Sequence, residues 1–124
     1  MSHFTTIETE IRNIPALETA CAELGDTLAR NTRARGWMNQ TTEGDYVIQL
    51  PGQHDVALKR QPNGSYQIVA DFYDTTIARV LGKSCQKLVQ TYAVHRTMAQ
   101  LQKKGRIGRR EQRADGFIAI HVRV

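Results

Sequence analysis

The side chains that could do acid–base or metal chemistry are few and widely spaced in this sequence. The four histidines, His3, His54, His95 and His121, all lie more than four residues from one another, which is not the spacing of metal-binding motifs. One arrangement stays open, because a first strand carrying His3, a helix carrying His95 and a last strand carrying His121 could bring three rings together. We expect these histidines to be boundary or surface residues instead, so the sequence predicts no catalytic residue, no metal and no cofactor.

Known nucleotide-binding and hydrolase motifs are also missing from the sequence. It contains no GxxxxGK[ST] or GxGxxG loop and no GxSxG or HExxH segment. Cys21 and Cys85 have no CxxC or Cys/His spacing and are interpreted as small buried hydrophobic residues. These absences favour a protein that works by binding, and an enzyme that uses His3, His95 and His121 remains the third alternative.

A basic segment, residues 96–113, is the strongest local bias in the chain. Residues 1–62 carry a net charge of −2 and residues 63–124 a net charge of +7. The basic segment holds one acid, Glu111, and seven basic side chains, which are the candidate binding residues: Arg96, Lys103, Lys104, Arg106, Arg109, Arg110 and Arg113.

Three interpretations of the basic segment stay open. It could be a solvated helix end, where Lys103 and Lys104 complement the helix dipole. It could face a protein partner with an acidic surface. It could also bind nucleic acid through phosphate contacts, although none of the eight aromatic residues interleaves with it to stack on bases.

Length and composition predict a single soluble domain. The chain has 124 residues, with 40% hydrophobic and 23% charged residues, which are ordinary globular values. No run approaches the ~18 apolar residues of a membrane-spanning helix, and the N-terminus resembles neither a signal peptide nor a transit peptide. We expect one domain over residues 1–124, in the cytoplasm and without a membrane partner.

The hydrophobic periodicity predicts two helices. Asn13 and Pro15 begin the first helix, and Gly25 ends it. The second runs from about Lys83 to Lys104, with Gly82 before it and Gly105 after it. Its expected apolar face consists of Leu81, Cys85, Leu88, Tyr92, Ala99 and Leu101.

The remaining segments predict strands. The first lies near the N-terminus. Residues 27–37 and 46–50 are two strands on either side of a turn at Gly44 and Asp45. Asn63-Gly64 forms the turn of a hairpin. We expect residues 66–72, the most apolar strand, at the sheet centre. Residues 106–113 and 117–124 form the last two strands, in which Ile118, Ile120, Val122 and Val124 share one face.

The order of these elements predicts an α+β fold. It is β-α-β-β-β-β-α-β-β, which suggests a duplicated β-α-β-β unit, and the hairpins imply a mainly antiparallel sheet with both helices on one face. Leu17, Leu24, Leu88 and Val69 are expected in the core. The first and last strands are expected to be separated or to present their histidines on opposite faces.

Four segments resemble the hypothetical chloroplast reading frame thirty-five family, also called domain of unknown function 1257. They follow the family's order over nearly the whole chain: MSHFTTI at 1–7, RGW at 35–37, VADFY at 69–73 and QTYAVH at 90–95. Thr91 and Val94 depart from the pattern, which has a basic residue and an aromatic there. If that helix is a binding face, its chemistry is altered here.

The resemblance implies a cyanobacterial or plastid type of protein but no activity, cofactor or catalytic residue. Because bacterial relatives are encoded near an AAA+ ATPase and a second small protein, it implies a subunit or adaptor of a complex. We therefore expect an accessory binding subunit, with RNA binding through the basic segment as the alternative.

Overall fold

A computed structural model of the chain describes residues 4–123. Within that range there are seven strands and three α-helices, and their order contains the predicted β-α-β-β-β-β-α-β-β series, which confirms the α+β fold. The elements are β1 (Thr5–Ile7), α1 (Ile14–Glu23), β2 (Thr27–Arg35), β3 (Thr41–Gln49), β4 (Val56–Arg60), β5 (Tyr66–Ala70), α2 (Thr75–Leu81), α3 (Gln86–Lys103), β6 (Ile107–Gln112) and β7 (Ile118–Arg123).

The first helix begins and ends where local chemistry requires. The Asn13 side chain accepts a hydrogen bond from the Ala16 amide at 3.0 Å, and Pro15 occupies the first turn, where no amide donor is needed. Gly25 then adopts a φ of 83°, which ends the helix. Leu17, Ala20 and Cys21 are buried.

The predicted second helix, from about Lys83 to Lys104, corresponds to α3, and a short helix that was not predicted, α2, precedes it. Asp74 caps the short α2, and Gly82, at a φ of 84°, together with Ser84 and Cys85, also in left-handed conformations, turns the chain before α3. Leu81 therefore belongs to α2 and not to the long helix. Ala99, expected on the apolar face of α3, is exposed.

The main sheet has five antiparallel strands in the order β1-β5-β4-β3-β2. The prediction that residues 66–72 lie at its centre was wrong, because β4 is central and β5 lies between β4 and the short edge strand β1. Val56, Ala57 and Leu58 of β4 are all fully buried. This burial from both sides is what a central strand requires.

The helices pack together on one face of this sheet, as predicted. Leu17 of α1 and Leu88 of α3 lie in the main core with Ile48, Leu58 and Ile68 of the strands, and Leu24 is half-buried at its border. Val69 is buried too, but on the opposite face. It belongs to a smaller cluster with Ala34, Val47 and Ala57, against which Phe4 packs.

The hairpin of β2 and β3 covers that opposite face. The predicted turn at Gly44 and Asp45 was wrong, because both residues lie inside β3 and the chain reverses at residues 36–40. Ala34, near the far end of β2, packs with Ala57 of the central strand. The far half of the hairpin therefore folds back over the sheet, and Asn31, at a φ of 46°, lies at the bend.

The last two strands form a second, two-stranded sheet. This hairpin lies against α3, where Gly108 faces Met98 and Leu101 so closely that a Cβ there would be 2.8 Å from Leu101. Each of the two long helices is thus followed by its own β-hairpin, as in the suggested duplicated unit. Only the first of these hairpins joins the main sheet.

Candidate functional site

The basic segment divides over several surfaces. Lys103 and Lys104 lie at the exposed C-terminal end of α3, and Arg106 follows them before β6. Arg109 and Arg110 are successive residues of β6, so their side chains point to opposite faces of the hairpin. The segment therefore does not present its charges on one face.

Arg110 is engaged in a junction of three elements. Its guanidinium donates to both carboxylate oxygens of Glu23 at the end of α1, at 2.7 and 2.8 Å, and His95 of α3 contacts the same carboxylate at 2.8 Å. The hydrogen bonds from Arg110 outweigh partial burial and lower the pKa of Glu23 to about 2. The junction ties the C-terminal hairpin to both long helices.

Two other basic side chains also have acidic neighbours. Arg113 lies 2.9 Å from Asp115, and Arg109 lies 3.7 Å from Glu111. Arg96 is half-buried in a cleft beside Glu10. Part of the positive charge is thus balanced within the chain.

The histidines do not converge. His3 lies outside the described residues. His121 contacts Glu111 at 3.1 Å and lies opposite Arg109, on the face of the hairpin that points away from Arg110, whereas His95 is on the Arg110 side. Within residues 4–123 no group of three potential metal ligands is found.

Sequence reasoning missed a site at the turn between β2 and β3. Residues 36–40, the hairpin tip, form a tight turn in which the Gly36 amide donates to the Gln40 carbonyl at 2.8 Å and the Gln40 amide to the Trp37 carbonyl at 3.0 Å. Met38 and Asn39 have positive φ angles of 54° and 63°. Trp37 is 43% exposed and Met38 is 74% exposed.

An ion pair holds the base of the hairpin tip. Arg35 donates to both carboxylate oxygens of Asp55, and a third bond goes from the Arg35 backbone amide to Asp55 at 3.0 Å. Burial pushes the pKa of Asp55 upward, but the hydrogen bonds from Arg35 and from the Leu50 amide hold it below its ordinary value. The Arg35 side chain also donates to the Leu50 carbonyl.

Segments from distant parts of the chain surround the hairpin tip. Phe4 packs so closely against Gly36 that any larger residue there would overlap its ring. Gln53 and His54 line a cleft of about 550 Å³ together with Trp37 and Met38. His54 in turn contacts the Asp74 carboxylate, next to the exposed Tyr73. Phe4 also packs against the cluster that contains Val69, so residues from three of the four segments that carried the resemblance are linked here.

The fourth such segment serves the core. The hydroxyl of Tyr92 accepts hydrogen bonds from the amides of Arg12 and Asn13, both at 3.0 Å, and so fixes the start of α1. Thr91 and Val94, the two departures from the family pattern, are buried. They consequently do not alter an exposed face of α3. The Gly36-Trp37-Met38 segment between two predicted strands was the available signal for the site, but the Gly44-Asp45 pair led to a turn predicted elsewhere.

Fold and site together define a small α+β domain with an exposed hairpin tip that carries Trp37. The chain belongs to the family described as Protein of unknown function (DUF1257), whose sequence profile matches residues 20–120. Neither the curated proteins nor the solved structures include a match to it. Among the described residues, no helix has both the length and the apolar character needed to cross a membrane.

Proposed function

We propose that this protein is an accessory binding subunit that docks on a partner protein through its hairpin tip. The observation that carries the proposal is the exposure of Trp37 and Met38 on a turn that the rest of the chain holds in place. Left-handed backbone at a residue other than glycine is strained. The fold maintains it at Met38 and Asn39 although both side chains are exposed.

A fixed, exposed tryptophan suits the centre of a protein interface. Tryptophan is among the residues that dominate binding energy, and a partner that buries it gains a large apolar area. Asn39, Gln40 and Gln53 line the cleft beside it, together with the half-exposed Arg35. A polar rim around an aromatic anchor is the usual anatomy of such interfaces.

The positive charge of the chain favours an acidic partner surface. A net charge of +5 speeds encounter with an acidic protein at low salt, even where the charges do not touch the partner. Our candidate for the partner is an AAA+ ATPase, as the family resemblance implied, in the cytoplasm. RNA binding through the basic segment is the alternative, and the division of that segment over several surfaces argues against it.

Affinity capture with the full chain as bait tests the proposal. The parent, Trp37→Ala and a control, Phe117→Ala, are compared in native cell extract, with and without nuclease. Phe117 is an aromatic residue on the other hairpin and, at 64%, is more exposed than Trp37 at 43%. Captured proteins are identified by mass spectrometry, and the main partner is then purified for direct binding measurements.

We expect the parent and Phe117→Ala to capture the same partner, an AAA+ ATPase, in the presence of nuclease. Trp37→Ala should weaken binding to the purified partner by about 30-fold or more, as expected of a central anchor. Equal affinity of Trp37→Ala and the parent would refute the role of the hairpin tip. Release of the partner by nuclease would favour the RNA alternative.

A further inference from the structure

The register of the C-terminal hairpin shows which backbone groups of β7 point away from β6. The Arg113 amide donates to the Phe117 carbonyl at 2.8 Å, and the ladder continues from this pair through Glu111 opposite Ala119. Hydrogen-bonded pairs alternate with non-hydrogen-bonded pairs in an antiparallel ladder. The amides and carbonyls of Ile118, Ile120 and Val122 therefore face outward, and in the described residues no further strand pairs with them.

This edge of β7 lacks the features that usually protect an edge strand. Proteins block such edges with charges, proline, bulges or short strands. Among the described strands, β1 has three residues, and β2 is interrupted by the left-handed Asn31. The outer edge of β6 carries Arg110. In contrast, β7 is a regular strand without proline or glycine, and among its residues Ile118–Arg123 the only Lys or Arg is Arg123, at its end.

The side chains of β7 define what a neighbouring strand would meet. Ile118 and Ile120 are half-buried on the side of α3, and Val122, on the same side, is 40% exposed. His121 and Arg123 are exposed on the other side, where Arg109 of β6 lies opposite His121. An added strand would therefore have apolar neighbours on one face and His121 and the positively charged Arg123 on the other.

We propose that the free edge of β7 takes an extended segment of a partner protein, with alternating acidic and apolar residues, as a third strand of the C-terminal sheet. Main-chain hydrogen bonds to Ile118, Ile120 and Val122 supply the binding, and alternate side chains supply the selectivity. Acidic side chains of the segment lie beside His121 and Arg123. Glu111 on β6, already in contact with His121, is one strand further away.

Charge disfavours a second copy of this chain as the occupant. Another β7 would add a second Arg123 to the same surface, and like charges on neighbouring strands are destabilising. An acidic segment has the opposite effect. The β7 edge is thus proposed as a second docking surface, separate from the hairpin tip.

A proline substitution tests the backbone hydrogen bonds of the β7 edge separately from the contacts of its side chains. Val122→Pro removes an outward amide, and proline is tolerated at such edge positions because no internal bond is lost. Val122→Ala removes the same side chain but keeps the amide, and is the matched control. The exchange of the Ala119 and His121 amides, which face β6, reports whether the hairpin remains formed.

The probe is a synthetic peptide of alternating Glu and Val, about ten residues long, compared with a peptide in which Lys replaces Glu. We expect the Glu peptide to bind the parent and Val122→Ala and to slow amide exchange at Ile118, Ile120 and Val122. It should bind Val122→Pro at least about tenfold more weakly. Trp37→Ala should bind the peptide like the parent. A failure of the β7-edge proposal can therefore be distinguished from a failure of the hairpin-tip proposal.

Three outcomes would overturn the proposal. The first is equal binding of the Glu peptide to Val122→Pro and Val122→Ala. The second is equal binding of the Lys and Glu peptides. The third is a dimer, seen by sedimentation of the free parent and abolished in Val122→Pro, which would assign the β7 edge to a second copy.

Discussion

Arg35 and Asp55 form two parallel hydrogen bonds, from Nε to Oδ2 and from Nη2 to Oδ1, both at 2.8 Å. Together with the backbone bonds between the same two residues, they join the far end of β2 to the segment before β4. This side-chain pair thus helps to hold the folded-back hairpin, and in it the carboxylate is nearly fully buried and the Arg35 side chain is half-exposed.

Asp55→Ala should therefore destabilise the protein by about 2 to 3 kcal/mol, because charged donors and the buried Leu50 amide lose their acceptor. Chemical denaturation measures the change. Arg35→Lys, which keeps the charge but not the paired geometry, should cause a smaller loss. A loss below about half a kcal/mol in Asp55→Ala would contradict this role.

The pH dependence of stability should reveal the same pair. Because the pKa of Asp55 is lower in the folded chain than in the unfolded one, its contribution is complete above the ordinary carboxyl value of about 4 and is lost as the pH falls below it. Urea titrations from pH 7 to pH 3 should show a smaller acid-induced loss for Asp55→Ala than for the parent. Parallel curves would count against the pair.

Glu23→Gln should loosen the C-terminal hairpin without unfolding the domain. The substitution removes the charge that Arg110 and His95 share, and the pair is partly exposed, so the global loss should be about 1 kcal/mol or less. Amide exchange in β6 and β7 should accelerate, while exchange in β4 stays unchanged. Unchanged exchange in both regions would show that the hairpin is held by its apolar contacts alone.

The pKa of Glu23, lowered to about 2, gives this junction its own acid dependence. Since the folded value lies below the unfolded one, the ion pair stabilises fully above about pH 4.3 and weakens as the pH falls toward 2. Titration of the Glu23 carboxyl by NMR should find a midpoint well below that of an ordinary glutamate. A midpoint above 4 would show that the carboxylate is not bound by Arg110.

Leu88→Ala should lower the free energy of unfolding by about 2 to 5 kcal/mol, through lost apolar transfer and a residual cavity. Leu88 is completely buried between the helices and the sheet. Thr97→Ala, on an exposed position of the same helix, is the control and should change stability by less than about 0.5 kcal/mol. Similar losses in both variants would refute the packing.

Cys21 and Cys85 should be unreactive in the folded protein. Burial raises the pKa of both thiols to about 12, and the acids Asp26 and Glu18 add to the effect at Cys21, so almost no thiolate is present at pH 8. A thiol reagent such as dithionitrobenzoate should label both residues in denaturant and neither in buffer. Rapid labelling of the native protein would mean that the core opens.

The double substitution of Arg106→Gln and Arg109→Gln should weaken any binding to heparin or RNA. The slope of log K against log salt should flatten by nearly one unit for each lost phosphate contact. Stability should not change, since both side chains are exposed. Equal affinity and slope in the variant and the parent would exclude this part of the basic segment from polyanion binding. Arg110 is left out because it binds Glu23.

Local signals predicted much of the fold. Asn13, Pro15 and Gly25 act within a few residues of themselves, so the bounds of α1 could be predicted from them. The turn residues and the alternating apolar pattern likewise indicated β4, β5 and the last two strands. The turn predicted at Gly44 was wrong, because Gly44 lies inside β3, where it packs closely against Ala57 and does not reverse the chain.

The sequence by itself determined the fold class, the burial of Leu17, Leu88 and the cysteines, and the uneven distribution of charge, because all of these follow from residue types and short-range periodicity. Only the tertiary structure decided that Glu23 neutralises Arg110, 87 positions away. It also decided that Phe4, Asp55 and His54 surround the hairpin tip. Such contacts depend on how strands pair and fold over one another, and the spacing of residues along the chain carries no record of that geometry.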